Sequence, residues 1–452
     1  MTLPELSVSG GAGGITAELD DLELLARRSA DDAAEYAAID GRAHAILLDG
    51  DVLASAVLDP IGMVRFAEAL LESLDGPHGL TALTVRMELR AGALRAAAAS
   101  YRAVDAAQRD LIDSIRFVVG FGLGTVPVVP LALGLAGVGT VRLVAGLNWE
   151  SLLTAHPGLV DDLVGVSPGL IDGLLGPHAG ATDLASAARL VGELYPDGSA
   201  VVTPLGLDTR DRSMVVPPAG FADLVTGLAY RDDDATADRQ GDIDVRVVTG
   251  ADGSRSYIVD IPGTKDWHLA PGQHDGPLND IGTNLHAMGG ESTAYEQGIG
   301  EALRRAGAGA GDPVMLVGHS QGGIVATDAA NHFVAHGQFN VTHVVTFGAP
   351  VGRLDVPDSV AMLSVENNND IVAHLDAADN PDTPNRTTVS FDDDHGRMGE
   401  NHSLEVSYAP AARALDASTD ASVVAFRDSA SAFLGDEPGR AVSTYAYQVH
   451  RG

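Results

Sequence analysis

Apolar and polar positions change rhythm along this chain, and the changes divide it. From Leu22, Leu24 and Leu25 onward, apolar residues recur at roughly helical spacing among acids and alanines, with no proline between Pro4 and Pro60. Pro60 and Gly76-Pro77 punctuate this part, and an alanine-rich stretch runs from Leu80 to about Ile115, broken only by Gly92. Residues 1–115 are therefore predicted as an antiparallel hairpin or bundle of long helices, a binding or scaffolding unit. From Phe117 to Val141 there is no charged residue, a length sufficient to cross a bilayer as a helix. Pro127, Pro130 and the six glycines of the segment argue against one regular helix. Three readings stay open for this segment: membrane insertion, burial between two domains, or an apolar cover over a lipid-binding cleft. Residues 116–145 are taken as the junction. Residues 146–240 carry repeated Pro/Gly breaks, with short helices expected at Leu159–Val164, Ala181–Leu194 and Phe221–Leu228, as an extension packed on the domain C-terminal to it.

From residue 241 the rhythm turns strand-like. Asp244–Thr249 and Ser256–Ile261 alternate on either side of the turn Gly250–Gly253. A loop from His268 to about Glu291 exceeds the usual connection length and reads as a lid or substrate-binding surface. Ser292–Arg305 reads as a helix. Pro313–Val317 then reads as a short buried strand, Gly318-His319-Ser320-Gln321-Gly322 as a tight turn, and Ile324–Ala330 as a helix. Val341–Phe347 and Val360–Val365 are further strands. Ala421–Leu434 is a helix behind the capping residue Asp420, and Arg440–His450 a strand added at a sheet edge. The predicted class is α/β: residues 241–452 form a sheet with helices on both faces, preceded by an all-helical N-terminal domain.

The chemistry sits on the turn. Gly318-His319-Ser320-Gln321-Gly322 is G-x-S-x-G between a strand and a helix, the nucleophile elbow of α/β-hydrolases. Side chains at 318 and 322 would collide across so sharp a turn, so both are glycine. An activated serine needs two backbone N–H groups aimed at the developing alkoxide. Gln321, the residue after the nucleophile, supplies one, and Thr264, in the loop after an early central strand, is placed in chain order to supply the other. The acid and the base should follow in that order. Asp370, after the strand Val360–Val365, is the expected acid, with Asp376 and Asp379 in reserve and Glu366 weaker. His402 is preferred as base to His395, which lies in the charged run Asp392–Arg397. His319 is read as a packing or supporting residue. His268, His274 and His286 lack metal-ligand spacing and H-E-x-x-H is absent, so neither a metal nor another cofactor is expected. Asp232-Asp233-Asp234 lacks the spacing of a calcium loop and reads as solvated.

A net charge of −34 repels nucleic acid and anionic membrane surfaces and argues against a nucleic-acid function. The absence of cysteine removes disulfides and thiolate catalysis. The first residues lack a basic stretch followed by an apolar one, so a standard signal peptide is not expected.

Gly263-Thr264 with Asp266-Trp267, the elbow, Thr346–Pro350, Asp370-Ile371-Val372 and His402 before Glu405-Val406 and Tyr408 together resemble the class 3 lipases, over residues 240–410. The sequence departs from that family at Pro262, where arginine is frequent, and at Ile371-Val372, which lacks the usual proline. The resemblance implies hydrolysis of lipid-like or other carboxylic esters through an acyl-enzyme. The N-terminal region resembles helical-hairpin substrates of type VII secretion in actinobacteria, through its alanine-rich helices and Tyr101-x-x-x-Asp105, although the Trp-x-Gly turn is replaced by Gly76-Pro77-His78-Gly79. That resemblance implies a helical or secretion-machinery partner and export by a non-classical route, against the alternative of a cytoplasmic protein associated with a membrane through Phe117–Val141. A hydrolase-like binding protein without activity and a secreted membrane-active effector are the competing functions. Thioesterases and peptidases use the same triad.

Overall fold

The computed structural model describes residues 3–76, 78–125, 158–175, 180–232, 242–266 and 277–452. The chain forms two compact units, Thr16–Leu111 and the combination of Met1–Ile15 with Ile112–Gly452.

The helical unit is built from α1 (Ile15–Ile46), α2 (Gly50–Leu58), α3 (Pro60–Asp75) and most of α4 (Leu80–Thr125). Its breaks are written in capping chemistry. Asp49 accepts from the N–H groups of Asp51 and Val52 at the start of α2, and Asp59 caps α3 with Pro60 in the first turn, where no N–H is needed. α1 and α4 run antiparallel. Arg102 on α4 binds Asp20 and Glu23 near the start of α1, at 2.7 and 2.5 Å, whereas Thr81 on α4 reaches Asp40 near its end. Tyr101–Asp105 lies within α4. The apolar stretch Phe117–Val141 enters the last turns of α4, and its residues from 126 on lie outside the described ones. Among the described residues, no helix is long and apolar enough to cross a membrane.

Among the described residues, the other unit is organised on one nine-stranded sheet in the order β1-β8-β7-β6-β5-β4-β3-β9-β2. The strands are β1 (Ser7–Gly10), β2 (Ala200–Leu207), β3 (Asp242–Thr249), β4 (Arg255–Ile261), β5 (Pro313–His319), β6 (Asn340–Phe347), β7 (Ala361–Asn367), β8 (Arg386–Phe391) and β9 (Ala441–Arg451). β4 to β8 pair in parallel, and β1, β3, β9 and β2 close the two sides in antiparallel pairing. The continuous apolar run of β5 follows from burial on both faces. Val314 and Leu316 enter one core with α9 (Ala294–Ala306) and α10 (Gln321–Ala335). Met315 and Val317 enter the other with α7 (Phe221–Asp232), α12 (Ala409–Asp416) and α13 (Ala421–Ser429). Between α4 and α9 the chain also forms α5 (Gly158–Leu175), α6 (Leu184–Gly192) and α8 (Ile281–Met288), and a short α11 (Met398–Asn401) precedes α12.

Four expectations are corrected. Ser7–Gly10 is not helical but pairs with β8, because that alternating polar segment finds an open sheet edge. Residues 146–240 contain the edge strand β2. It pairs with β9, so Arg440–His450 lies inside the sheet rather than at its edge. The loop after His268 is not structureless: Asp280 accepts from Thr283 N and starts α8. Residues 267–276, including His268 and His274, lie outside the described ones.

Candidate active site

The elbow is a matter of backbone contact. Ser320 sits between β5 and α10 at φ 54° and ψ −125°, one of two non-glycine residues with positive φ among those described. Such a conformation costs about 1–3 kcal/mol, borne by the surrounding structure. A Cβ on Gly318 would strike the carbonyl of Gly322. A Cβ on Gly322 would strike the carbonyl of Ile261 at the end of β4, so its glycine answers to the neighbouring strand rather than to Gly318. Ser320 N–H donates to the Phe347 carbonyl at 3.0 Å, which ties the turn to β6.

Asp370 follows β7 and is fully buried. Its Oδ1 accepts from Val372 N–H at 3.0 Å. Its Oδ2 accepts from His402 Nδ1–H and from the Tyr408 hydroxyl, each at 2.6 Å. Asparagines hold the two loops together. Asn401 Nδ2 donates to the Asn369 carbonyl and Asn367 Nδ2 to the Asn401 carbonyl, at 2.9 and 3.1 Å. His402 closes α11, with its side chain 19 % exposed, so one edge of the ring faces outward. Burial opposes charging that ring, but the Asp370 carboxylate, by its charge and its hydrogen bond, outweighs burial and raises the His402 pKa. Burial and the same carboxylate push the Tyr408 phenol well above its ordinary value, so it remains a donor.

Three of the four reserves are occupied elsewhere. Asp376 accepts from Gly352 N–H, Glu366 accepts from Asn380, and His395 Nε2 is bonded to Asp393. Burial raises the Asp376 and Glu366 carboxyls to about 6 and about 7.

A second network, not foreseen from sequence, lies on the other side of His402. His319 Nδ1 is 2.8 Å from Asp232 Oδ2, and His319 Nε2 is 2.9 Å from the His402 carbonyl. Both partners accept only, so the two bonds are made together only by the doubly protonated ring. The His319 and His402 rings stack with centroids 4.4 Å apart. Asp232 also accepts from Gly263 N–H at 3.1 Å and from Lys265 Nζ at 2.8 Å. Burial favours its neutral form, but the charge and hydrogen bond of His319, followed by Lys265, hold its pKa far below the usual carboxylate range. Arg231, buried against Asp208 and Asp244, fixes the end of α7 that carries it. Asp232 is thus the anchor of a site and not part of a solvated loop; Asp233 and Asp234 lie outside the described residues. Two sequence signals could have led here: an imidazole beside Ser320, and Lys265, the only lysine of the chain.

Among its described residues, the loop after β4 offers one uncommitted donor. Gly263 N–H goes to Asp232, and those of Lys265 and Asp266 go to the Asn279 carbonyl. Among the described residues the Thr264 N–H between them has no partner, and its side-chain oxygen accepts from Asn284 at 3.1 Å. Gln321 is the first residue of α10, where an N–H has no acceptor in its own helix. Its side chain is turned away to the Asp280 carbonyl.

Residues 279–380 match the family model described as Lipase (class 3). The matched stretch, under a quarter of the chain, includes Ser320, Gln321 and Asp370, begins after Thr264 and ends before His402. With the mixed sheet and helices on both faces, the match supports an α/β-hydrolase-type domain. It supports lipase or carboxylic ester hydrolase activity in general. No curated protein and no solved structure gives a significant match to the chain.

Proposed function

We propose that the chain is a serine hydrolase that cleaves carboxylic esters, lipid-like ones in particular, with Ser320 as nucleophile, His402 as base and Asp370 as acid. His402 Nε2 takes the proton of Ser320 Oγ as Oγ bonds the ester carbonyl carbon. The carbonyl oxygen becomes an alkoxide held by the N–H groups of Gln321 and Thr264. Collapse expels the alcohol, which takes its proton from His402 and leaves an acyl-serine. Water then deprotonated by His402 releases the carboxylic acid.

The observation that carries this reading is the 2.6 Å bond from Asp370 to His402 Nδ1, which fixes the tautomer with Nε2 free to accept. The lipid-like substrate class rests on the family match. A fluorophosphonate probe should label the wild-type chain on Ser320. Ser320→Ala should lose labelling and p-nitrophenyl ester turnover together. An unlabelled wild type, under conditions that label a control esterase, would rule the proposal out.

A further inference from the structure

Behind the elbow, between α9 and α10, three side chains meet that the proposed hydrolysis does not use. Asp328 and His332 stand one turn apart on α10 and so share a face. Glu296 reaches them from α9. His332 Nδ1 is 2.8 Å from Glu296 Oε2 and 3.7 Å from Asp328 Oδ2, and the three donor atoms all lie within 4.8 Å of one another. Asp328 is 5 % exposed and Glu296 4 %. Glu296 has His332 as a partner, but Asp328 Oδ2 is fully buried, points at the cluster and accepts no hydrogen bond. Two buried carboxylates are served by one imidazole, and a carboxylate oxygen in that position lacks a cation or a donor.

We infer that Glu296, Asp328 and His332 form a binding site for a divalent transition-metal ion of the zinc type. One imidazole nitrogen and two carboxylate oxygens are a donor set that Zn²⁺ accepts, with water in the fourth position. Bonds of about 2.0–2.2 Å to a tetrahedral ion place donor atoms about 3.3–3.6 Å apart. The 2.8 Å pair must open and the 3.7 Å pair close by a few tenths of an ångström. His332, 21 % exposed in its side chain, provides the way in from solvent. Binding replaces the Nδ1 proton by the ion and releases it to the buffer. The ion cross-links α10, the helix that starts at Ser320, to α9, and its role is to stabilise that layer. A second cluster, Asp40, His44 and Asp75, also holds a carboxylate oxygen without a hydrogen bond, Asp40 Oδ1, and differs in its exposure and in the partners of Asp75. It is more exposed, and His44 and Thr81 already donate to Asp75. It serves as the internal control.

The test uses the full chain, stripped with chelator and titrated with ZnCl₂ by calorimetry in two buffers of different ionisation enthalpy, with melting followed in parallel. The expected result is one ion per chain, proton release, and a rise in melting temperature that EDTA reverses. Asp328→Asn and His332→Gln should each weaken binding at least about tenfold, and His44→Gln should leave it unchanged. Asp328→Asn keeps the side-chain volume and removes the unpaired charge. It therefore decides the matter even where His332→Gln fails to fold. X-ray absorption at the zinc edge should show one imidazole with oxygen ligands. The inference is overturned by the absence of saturable binding in the wild type, by full binding in Asp328→Asn, or by binding lost only in His44→Gln.

Discussion

Tyr408→Phe removes the hydroxyl that steadies the carboxylate on which the proposed base depends. Tyr408 is fully buried, edge-on to Phe347 and Phe391 with ring centroids 6.2 and 5.7 Å away, and phenylalanine preserves that packing. What is lost is the 2.6 Å donation to Asp370 Oδ2, the same oxygen that holds His402, together with a longer 3.4 Å acceptance from Asn367 N–H. A hydrogen bond to a buried charge contributes about 1.5–3 kcal/mol, so the variant should melt several degrees lower. Asp370 keeps Val372 N–H and His402, and Oδ2 then concentrates its charge on the imidazole. His402 already has a raised pKa because Asp370 outweighs burial, and the change pushes it further the same way. If a third to a half of the lost energy reappears at His402, at 1.36 kcal/mol per pKa unit, the shift is about 0.5–1 unit upward. Since the base must be neutral to act, the acid limb of kcat/KM for a p-nitrophenyl ester should move to higher pH by that amount. The alkaline plateau should fall less than about tenfold, because every triad contact remains. An acid limb that stays in place while the protein melts lower would mean that His402 does not take its basicity from Asp370, and the reasoning would fail.

Asp232→Asn removes the anion shared by His319, Lys265 and Gly263, and misplacing groups on both sides of the nucleophile should lower kcat about 10- to 100-fold with little change in KM. Unchanged kcat with a folded protein would reduce that network to packing. Gly322→Ala drives a Cβ onto the Ile261 carbonyl, which no rotamer relieves, and should cost about 3–5 kcal/mol in urea unfolding. Gly311→Ala, with nothing within 4 Å of its Cβ, should be close to neutral, and equal effects of the two changes would contradict the elbow geometry.

Much of the hydrolase-like sheet was legible because β5 is apolar on both faces and the turns around it carry their own chemistry. The β5–Ser320–α10 unit could be read from eleven residues, and Asp420 announced α13 correctly. The misreadings share a cause: a partner distant in the chain. Ser7–Gly10 alternates too briefly to be recognised until β8, nearly 400 residues later, offers an edge. β9 appeared to be an edge strand because β2 lay hidden in a Pro/Gly-rich region. The acid and base candidates were legible through chain order, but the groups that adjust them were not. Tyr408 and Asp232 bear no local mark of their partners, since a tyrosine inside a helix and an acid at a helix end are ordinary. Asn367 and Asn401, which bind the acid loop to the histidine loop, resemble common turn residues until the turns are brought together.

Lys265 has a practical meaning beyond its bond to Asp232. A chain of 452 residues with one lysine offers amine-directed chemistry a single side-chain address, and that address lies on the loop beside the proposed oxyanion donor. Its ammonium, held by a carboxylate and four-fifths shielded from solvent, is a poor nucleophile while that ion pair is made. The rate at which an acylating dye reaches it therefore reports how firmly Asp232 holds the ammonium. Neutralising that one amine would leave the Asp232 carboxylate with His319 and Gly263 N–H alone.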